Sequence, residues 1–208
     1  MHLQILSPEQ KDLLPLVNKF KRKFYLVGGT AIALHLGHRM SIDYDLFCEK
    51  PFSVTDVLRK IEAFSPKQSY KIIYRDDAQL HLLINGVKLT FYHYPYVVPV
   101  SSEYLKEIKM PSLLSLAAMK ALALGGRNKW KDYVDLYFLL KNHFTFDEIA
   151  EQAEKIFTKN IFNRKLFKGQ LSYFDDVDYS EKVDFISGFE KKDEEIKDFL
   201  IELATRPF

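Results

Sequence analysis

GGTAIALHLGHRMSIDYDLF, residues 28–47, follows directly on the apolar run FYLV at 24–27. FYLVGG reads as a short strand ending in a glycine turn. Thr30 to Leu36 reads as a helix that Gly37 ends, and IDYDLFC at 42–48 as the next strand. Asp43 and Asp45 are two apart on that strand, so their side chains share one face. Paired carboxylates repel each other unless a cation lies between them. Oxygen ligands of this kind suit Mg²⁺, which keeps several waters and takes phosphate oxygens as further ligands. Gly28-Gly29, where a strand opens into a helix, brings backbone N–H groups toward a phosphate, and Thr30 adds a hydroxyl. Each piece alone is also ordinary: many D-x-D pairs are structural, and many GG pairs are tight turns. Their order, strand, GG-Thr, helix, then D-x-D, places a phosphate cradle and a metal site on adjacent strand ends. That layout suits nucleotidyl transfer. A dehalogenase-type reading of the two aspartates wants an apolar strand just before the first one, and GHRMSI does not supply it.

Upstream, Ser7, Pro8 and Gln10 form a capping-box start, and Leu13, Leu14, Val17 and Phe20 repeat at helical spacing. Downstream, Ser53 caps a helix to about Phe64. Residues 70–75 and 79–84 read as strands joined through Asp76-Asp77, and Asn85-Gly86 turns into a fifth strand at 87–94. Beyond Tyr94-Pro95 the pattern is helical: 103–109, Ser112 to Leu124, a helix capped by Asn128 through about Lys141, then 146–157, 161–172 and 189–205. The expected class is α/β (α+β): a mixed sheet with flanking helices over residues 1–100, then a helical half over 101–208 that closes the cleft.

The 208 residues are 47% hydrophobic and 28% charged, which excludes wholesale disorder and low-complexity classes. Cys48 is the one cysteine, so neither an intrachain disulfide nor a Cys-rich zinc site is available. The N-terminus lacks a signal pattern and no apolar run is long enough to span a membrane, so a soluble cytoplasmic protein without a membrane partner is expected. The net charge of +2 is an average. Residues 101–172 carry 12 bases and 8 acids, whereas 173–198 carry 4 bases and 10 acids. The acidic tail is either a solvated face or a cover for the basic segment.

The chain resembles the nucleotidyltransferase superfamily of the DNA polymerase beta type, and more closely its AbiEii/AbiGii-type toxin branch. The resemblance rests on Gly28-Gly29-Thr30-Ala31 and His38-Arg39-Met40-Ser41-Ile42-Asp43-Tyr44-Asp45-Leu46-Phe47. Ala117-Ala118-Met119-Lys120 and the block Arg127, Lys131, Asp132, Asp135, Leu136, Tyr137 also match, and the likeness covers about residues 24–141. It implies a nucleotidyltransferase fold and Mg²⁺-dependent transfer of a nucleoside monophosphate from an NTP to a tRNA or protein acceptor. A cognate antitoxin or phage-defence setting would follow. By resemblance, Asp43 and Asp45 bind the metal and act with Lys120. Gly28, Gly29, Thr30, Arg39, Ser41, Lys88, Arg127, Lys131, Asp132 and Asp135 meet the nucleotide. Spacing alone puts Arg127, Lys131 and Asp135 near one helix face, which a solvated ion-pair face would share.

The family's third carboxylate, in a Lys-x-Asp block, aligns with Lys88-Leu89-Thr90, where Thr90 is neutral. Alternation sends Val87, Leu89 and Phe91 to the core and Lys88, Thr90 and Tyr92 to the other face. Three readings remain open: catalysis on Asp43 and Asp45, a substitute carboxylate at Asp76 or Asp77, or a nucleotide-binding sensor that transfers nothing. Elsewhere, His35 and His38 admit a metal pair or a helix-end role. His81 and His93 read as strand packing, and Cys48 as a small buried hydrophobe. Tyr92, Tyr94 and Tyr96 read as sheet packing or a base-stacking platform. The run Lys19, Lys21, Arg22, Lys23 reads as a solvated helix end or an RNA contact.

Overall fold

Helix α1 (Pro8–Asn18) starts on the expected box: Ser7 Oγ accepts from Gln10 N, and Gln10 Oε1 accepts from Ser7 N. Two orphan donors at the helix start are thereby satisfied. The computed structural model describes residues 1–64, 70–101, 106, 108–158 and 160–206. It divides into two units, Met1–Ser112 and Leu113–Phe208.

In the first unit, β1 (Tyr25–Val27) runs straight into α2 (Gly28–Leu36), and β2 (Asp43–Cys48) follows. Then come α3 (Val54–Phe64), β3 (Tyr70–Arg75), β4 (Gln79–Ile84) and β5 (Val87–His93). A small ladder of β6 (Val100–Ser101) and β7 (Met110–Pro111) completes the unit. Among the described residues the main sheet has the order β1-β2-β5-β4-β3. It is antiparallel except for the central β2–β5 pair, which is parallel. β4 and β5 form the Asn85-Gly86 hairpin, with both turn residues at positive φ (50° and 79°), the conformation a two-residue primed turn requires. Lys109 continues this unit, since Leu26 N donates to Lys109 O. Of the helix expected over 103–109, residues 103–105 and 107 lie outside the described residues, and Lys109 instead bridges Tyr25.

One sheet face is dry. Tyr44, Leu46 and Cys48 of β2, Leu89 and Phe91 of β5, and Leu80, Leu82 and Ile84 of β4 are all buried. Phe91 meets Phe20 and Phe24 edge-to-face at 4.8 and 5.1 Å. Such pairs add about 0.5–1.5 kcal/mol each beyond area burial. Tyr44 donates its hydroxyl to Gln10 O at 3.0 Å, tying β2 to α1. Residues at odd positions of β2 and even positions of β5 therefore lie on the opposite face, where Asp43, Asp45, Lys88 and Tyr92 are half-buried and Thr90 is buried.

The second unit holds α4 (Leu113–Leu124), α5 (Trp130–Asn142), α6 (Phe146–Ile156), α7 (Arg164–Gln170) and α8 (Asp193–Thr205). Ala117, Ala118 and Ala121 of α4 and Ala150 and Ala153 of α6 are buried, and small residues of this kind let two helix backbones approach closely. Ile196 and Leu200 anchor α8 against α5. Helix α5 begins at Trp130 after an N-cap at Lys129, later than the expected Asn128 cap. Asn128 uses its amide to reach Asp176 Oδ2 at 2.5 Å. No helix among the described residues is long and apolar enough to cross a membrane.

Candidate functional site

The two glycines are the first turn of α2 rather than a loop after β1. Gly28 makes the switch from strand to helix in one residue by taking φ +71°. It also leaves room for the Asp45 carboxylate: a Cβ here would collide with Asp45 Oδ2 and lie 3.3 Å from Asp45 Cβ. Asp45 thus rests on the N-terminus of α2, where the helix dipole favours an anion. A Cβ on Gly29 would collide with the Arg39 guanidinium. Arg39 is 2% exposed and donates to Met40 O at 3.0 Å. Both glycines are therefore needed for close approach of charged groups.

Thr30 and Ser41 are buried and 2.7 Å apart, and Thr30 Oγ1 also donates to Asp43 O. A carbonyl only accepts, so the Thr30 proton goes to Asp43 and the Ser41 hydroxyl donates to Thr30. Gln10 Nε2 adds a 3.3 Å bond to the same carbonyl. The Thr30 hydroxyl is spent on pinning the start of β2 to α2.

Strand register builds a row across the face opposite the dry one. Asp43 lies opposite Lys88, and Asp45 opposite Thr90. Thr90 in turn faces His81. In-register partners share a sheet face, so the alternation read for β5 holds and Thr90 stands beside Asp45. Next to them Phe47 touches Tyr92 and Tyr94 at 5.1 Å each, and Tyr94 touches Tyr96 at 4.8 Å. Asp76 is occupied in its own turn, accepting from Ala78 N at 2.7 Å and Gln79 N at 2.8 Å.

The donor set fits Mg²⁺. Two half-buried carboxylates share one face, and no group of three or more His, Cys, Asp or Glu positioned for a metal occurs among the described residues. A hard cation that keeps water and takes phosphate oxygens needs no more protein ligands than these two. His35 and His38 accordingly form no such group.

In the second unit, Lys120 is buried and pairs with Asp132 at 2.5 Å and Asp135 at 3.1 Å. Arg127 Nε adds a 2.9 Å contact to Asp132 from the turn before α5. The expectation of one helix face is corrected: Asp132 and Asp135 turn inward to Lys120, whereas Lys131 turns to Glu181 at 3.3 Å. Glu181 also pairs with Lys129, whose hydrogen bond is the first cause holding that carboxyl below its ordinary range. Sequence reasoning missed Glu181 as a named partner; the opposed charge of the two segments was the only signal for it.

A family model described as "Nucleotidyl transferase AbiEii toxin, Type IV TA system" matches residues 16–207. An uncharacterised protein of Aquifex aeolicus is 31% identical over 179 residues, covering 83% of this chain and 84% of that one. Two solved structures share the fold. One is MenT4, a nucleotidyltransferase toxin from Mycobacterium tuberculosis, at TM-score 0.59 and 12% identity over 95% of this chain and 80% of that one. The other is JHP933 from Helicobacter pylori, at TM-score 0.52 and 21% identity over 72% and 75%. Over nearly its whole length, then, the chain belongs to the AbiEii nucleotidyl transferase toxin family.

Proposed function

We infer that this protein transfers a nucleoside monophosphate from an NTP to the end of an RNA, with tRNA the first acceptor to test. The observation that carries the reading is the pair Asp43 and Asp45 on one sheet face, with Asp45 packed against glycine at the head of α2. Asp43 and Asp45 would hold Mg²⁺, which supplies positive charge to the triphosphate oxygens when bound. Backbone N–H groups of the Gly28–Thr30 turn would hold phosphate. Thr30, Ser41 and Gln10 fix the position of Asp43 through its carbonyl. Arg39 and Lys88 would contribute charge beside the carboxylates. Within the helical unit, Arg127 and Lys131 would offer charge to phosphate. Lys120, held by Asp132 and Asp135, would orient that unit's ionic cluster. The setting would be cytoplasmic, with a cognate antitoxin.

The test is incubation with each α-labelled NTP, Mg²⁺ and bulk tRNA. Label entering RNA and lost in Asp43→Ala is the expected result; label entering protein instead would move the acceptor to a side chain. A second reading is favoured by Thr90 in register with Asp45: the protein binds nucleotide as a sensor and transfers nothing. NTP-dependent thermal stabilisation without transfer would support it. No shift with either NTP or Mg²⁺ would overturn both.

A further inference from the structure

The same sheet face carries a second set of groups one strand beyond Thr90. His81 Nε2 lies 2.8 Å from Gln79 Oε1, and Gln79 Nε2 lies 3.1 Å from Asp76 Oδ2. The chemistry fixes the direction of each bond. Asp76 accepts from two backbone N–H groups and from the Tyr74 hydroxyl at 2.9 Å, with its carboxyl held below the ordinary range chiefly by the Ala78 N–H bond, so it is ionised and only accepts. Gln79 must turn its NH₂ toward Asp76 and its carbonyl oxygen toward His81. His81 must then carry its proton on Nε2, and Nδ1 is the basic nitrogen. The ring is also braced edge-on by Tyr74 at 5.7 Å.

We propose that His81 is the general base of the transfer reaction, taking the acceptor hydroxyl's proton on Nδ1, with Gln79 and Asp76 as positioning residues. The inference rests on the nucleotidyl-transfer reading above. Strand register places His81 beside Thr90, which is buried and stands beside Asp45, so an acceptor held above this row lies between the base and the carboxylate pair. In the step, the acceptor oxygen forms a bond to the α-phosphorus. The bond from that phosphorus to the α–β bridging oxygen breaks, and pyrophosphate leaves with that electron pair. The hydroxyl proton passes to Nδ1, giving an imidazolium that still donates Nε2–H to Gln79 and then loses its new proton to water. A neutral Thr90 cannot take that proton, so the base must be another group.

The charged and titratable groups facing His81 are Tyr74 and Lys71 on β3, Asp76 in the turn, Lys88 and Tyr92 on β5, and Asp43 and Asp45 beyond them. Burial, and then Lys88, lower the pKa of the ring, while Asp45 and Asp76 oppose them, so the ring is neutral and ready to accept near neutral pH.

Three readouts test the assignment on the full chain. In single-turnover transfer, His81→Gln loses about 10²-fold or more in rate, the usual contribution of a positioned base. The low-pH decline of the wild-type rate also disappears in that variant, while NTP-dependent thermal stabilisation is retained. Imidazole ¹⁵N NMR of the unliganded protein shows Nε2–H with a bare Nδ1 for His81, and Gln79→Leu mixes the tautomers and slows transfer several-fold. Wild-type transfer abolished by Asp45→Ala but unchanged in rate and pH profile by His81→Gln would overturn the base and leave the enzyme reading intact. A wild type that transfers nothing would remove both. An Nδ1–H tautomer would overturn the positioning of the ring by Gln79 whatever the activity.

Discussion

Gly28→Ala and Gly86→Ala form a matched pair that separates backbone strain from collision with the site. Both glycines sit at positive φ, +71° and +79°. A Cβ in that region costs an L-residue about 1–2 kcal/mol. At Gly86 a Cβ meets nothing within 4 Å, so the backbone cost is the whole effect. At Gly28 the same Cβ strikes Asp45 Oδ2 and crowds its Cγ at 3.2 Å and Cβ at 3.3 Å. Rotating the carboxylate away does not clear the Cβ contact, so strand or helix must shift. Overpacking of this kind adds about 1–3 kcal/mol, for about 2–5 kcal/mol in all. Native-state hydrogen exchange of the β2 and β5 amides reads these values as opening free energies. Gly28→Ala should also lose Mg²⁺-dependent NTP stabilisation, while Gly86→Ala keeps it. Equal destabilisation of the two variants would refute the contact between Gly28 and Asp45, and with it the reason for a glycine at that position.

Lys120→Met leaves Asp132 and Asp135 buried without their central cation, and breaking such a pair typically costs about 3–5 kcal/mol. The single tryptophan, Trp130 at the head of α5, reports that unit's unfolding by fluorescence, and an unchanged urea midpoint would deny the cluster its structural role. Thr30→Val removes the hydroxyl that joins Ser41 to Asp43 O and should cost about 1–3 kcal/mol, read by the same β2 amides. Thr90→Asp puts a third carboxylate in register with Asp45. It should lower the melting temperature without Mg²⁺ and enlarge the Mg²⁺-induced rise; equal rises in variant and wild type would count against a cation at this face.

Signals that act within a few residues were legible before the fold. The Ser7–Gln10 box, the Asn85-Gly86 hairpin and the alternation of β2 and β5 are fixed by local sterics, and each formed as read. The face of Thr90 was legible too, because burying Leu89 and Phe91 turns it to the other side, but its place beside Asp45 depends on the β2–β5 register, which no local signal carries. What the chain hid is where long side chains go. Lys120 and Lys131 look alike in a list of bases, yet one is buried between two aspartates and the other bonds a glutamate 50 residues on. Likewise His81 and its partners are ordinary strand and turn residues until Gln79 is seen joining Asp76 to the ring. Thr30 resembled a phosphate ligand because its hydroxyl's partner, a backbone carbonyl, leaves no mark in the sequence.

The acidic tail offers the sharpest use of that distinction. Segment 176–181 is fastened to the basic turn by backbone as well as charge: Asp178 N donates to Asn128 O at 2.7 Å, and Trp130 N to Asp178 O at 3.0 Å. Deleting everything from about Tyr173 would test the cover poorly, because it also removes Ile196 and Leu200, which α5 needs to bury. Glu181→Gln is cleaner, since it leaves the backbone ties and removes the one carboxylate that Lys129 and Lys131 share. These pairs are partly exposed, so stability should change by less than about 1 kcal/mol. If the carboxylate competes with RNA for the two lysines, its loss should raise RNA affinity at low salt. The dependence of log K on log salt should steepen by about 0.7 for each lysine that gains a single-strand phosphate. An unchanged salt slope in the variant would mean that the tail is a solvated face whose charge opposes the basic segment only in the sum.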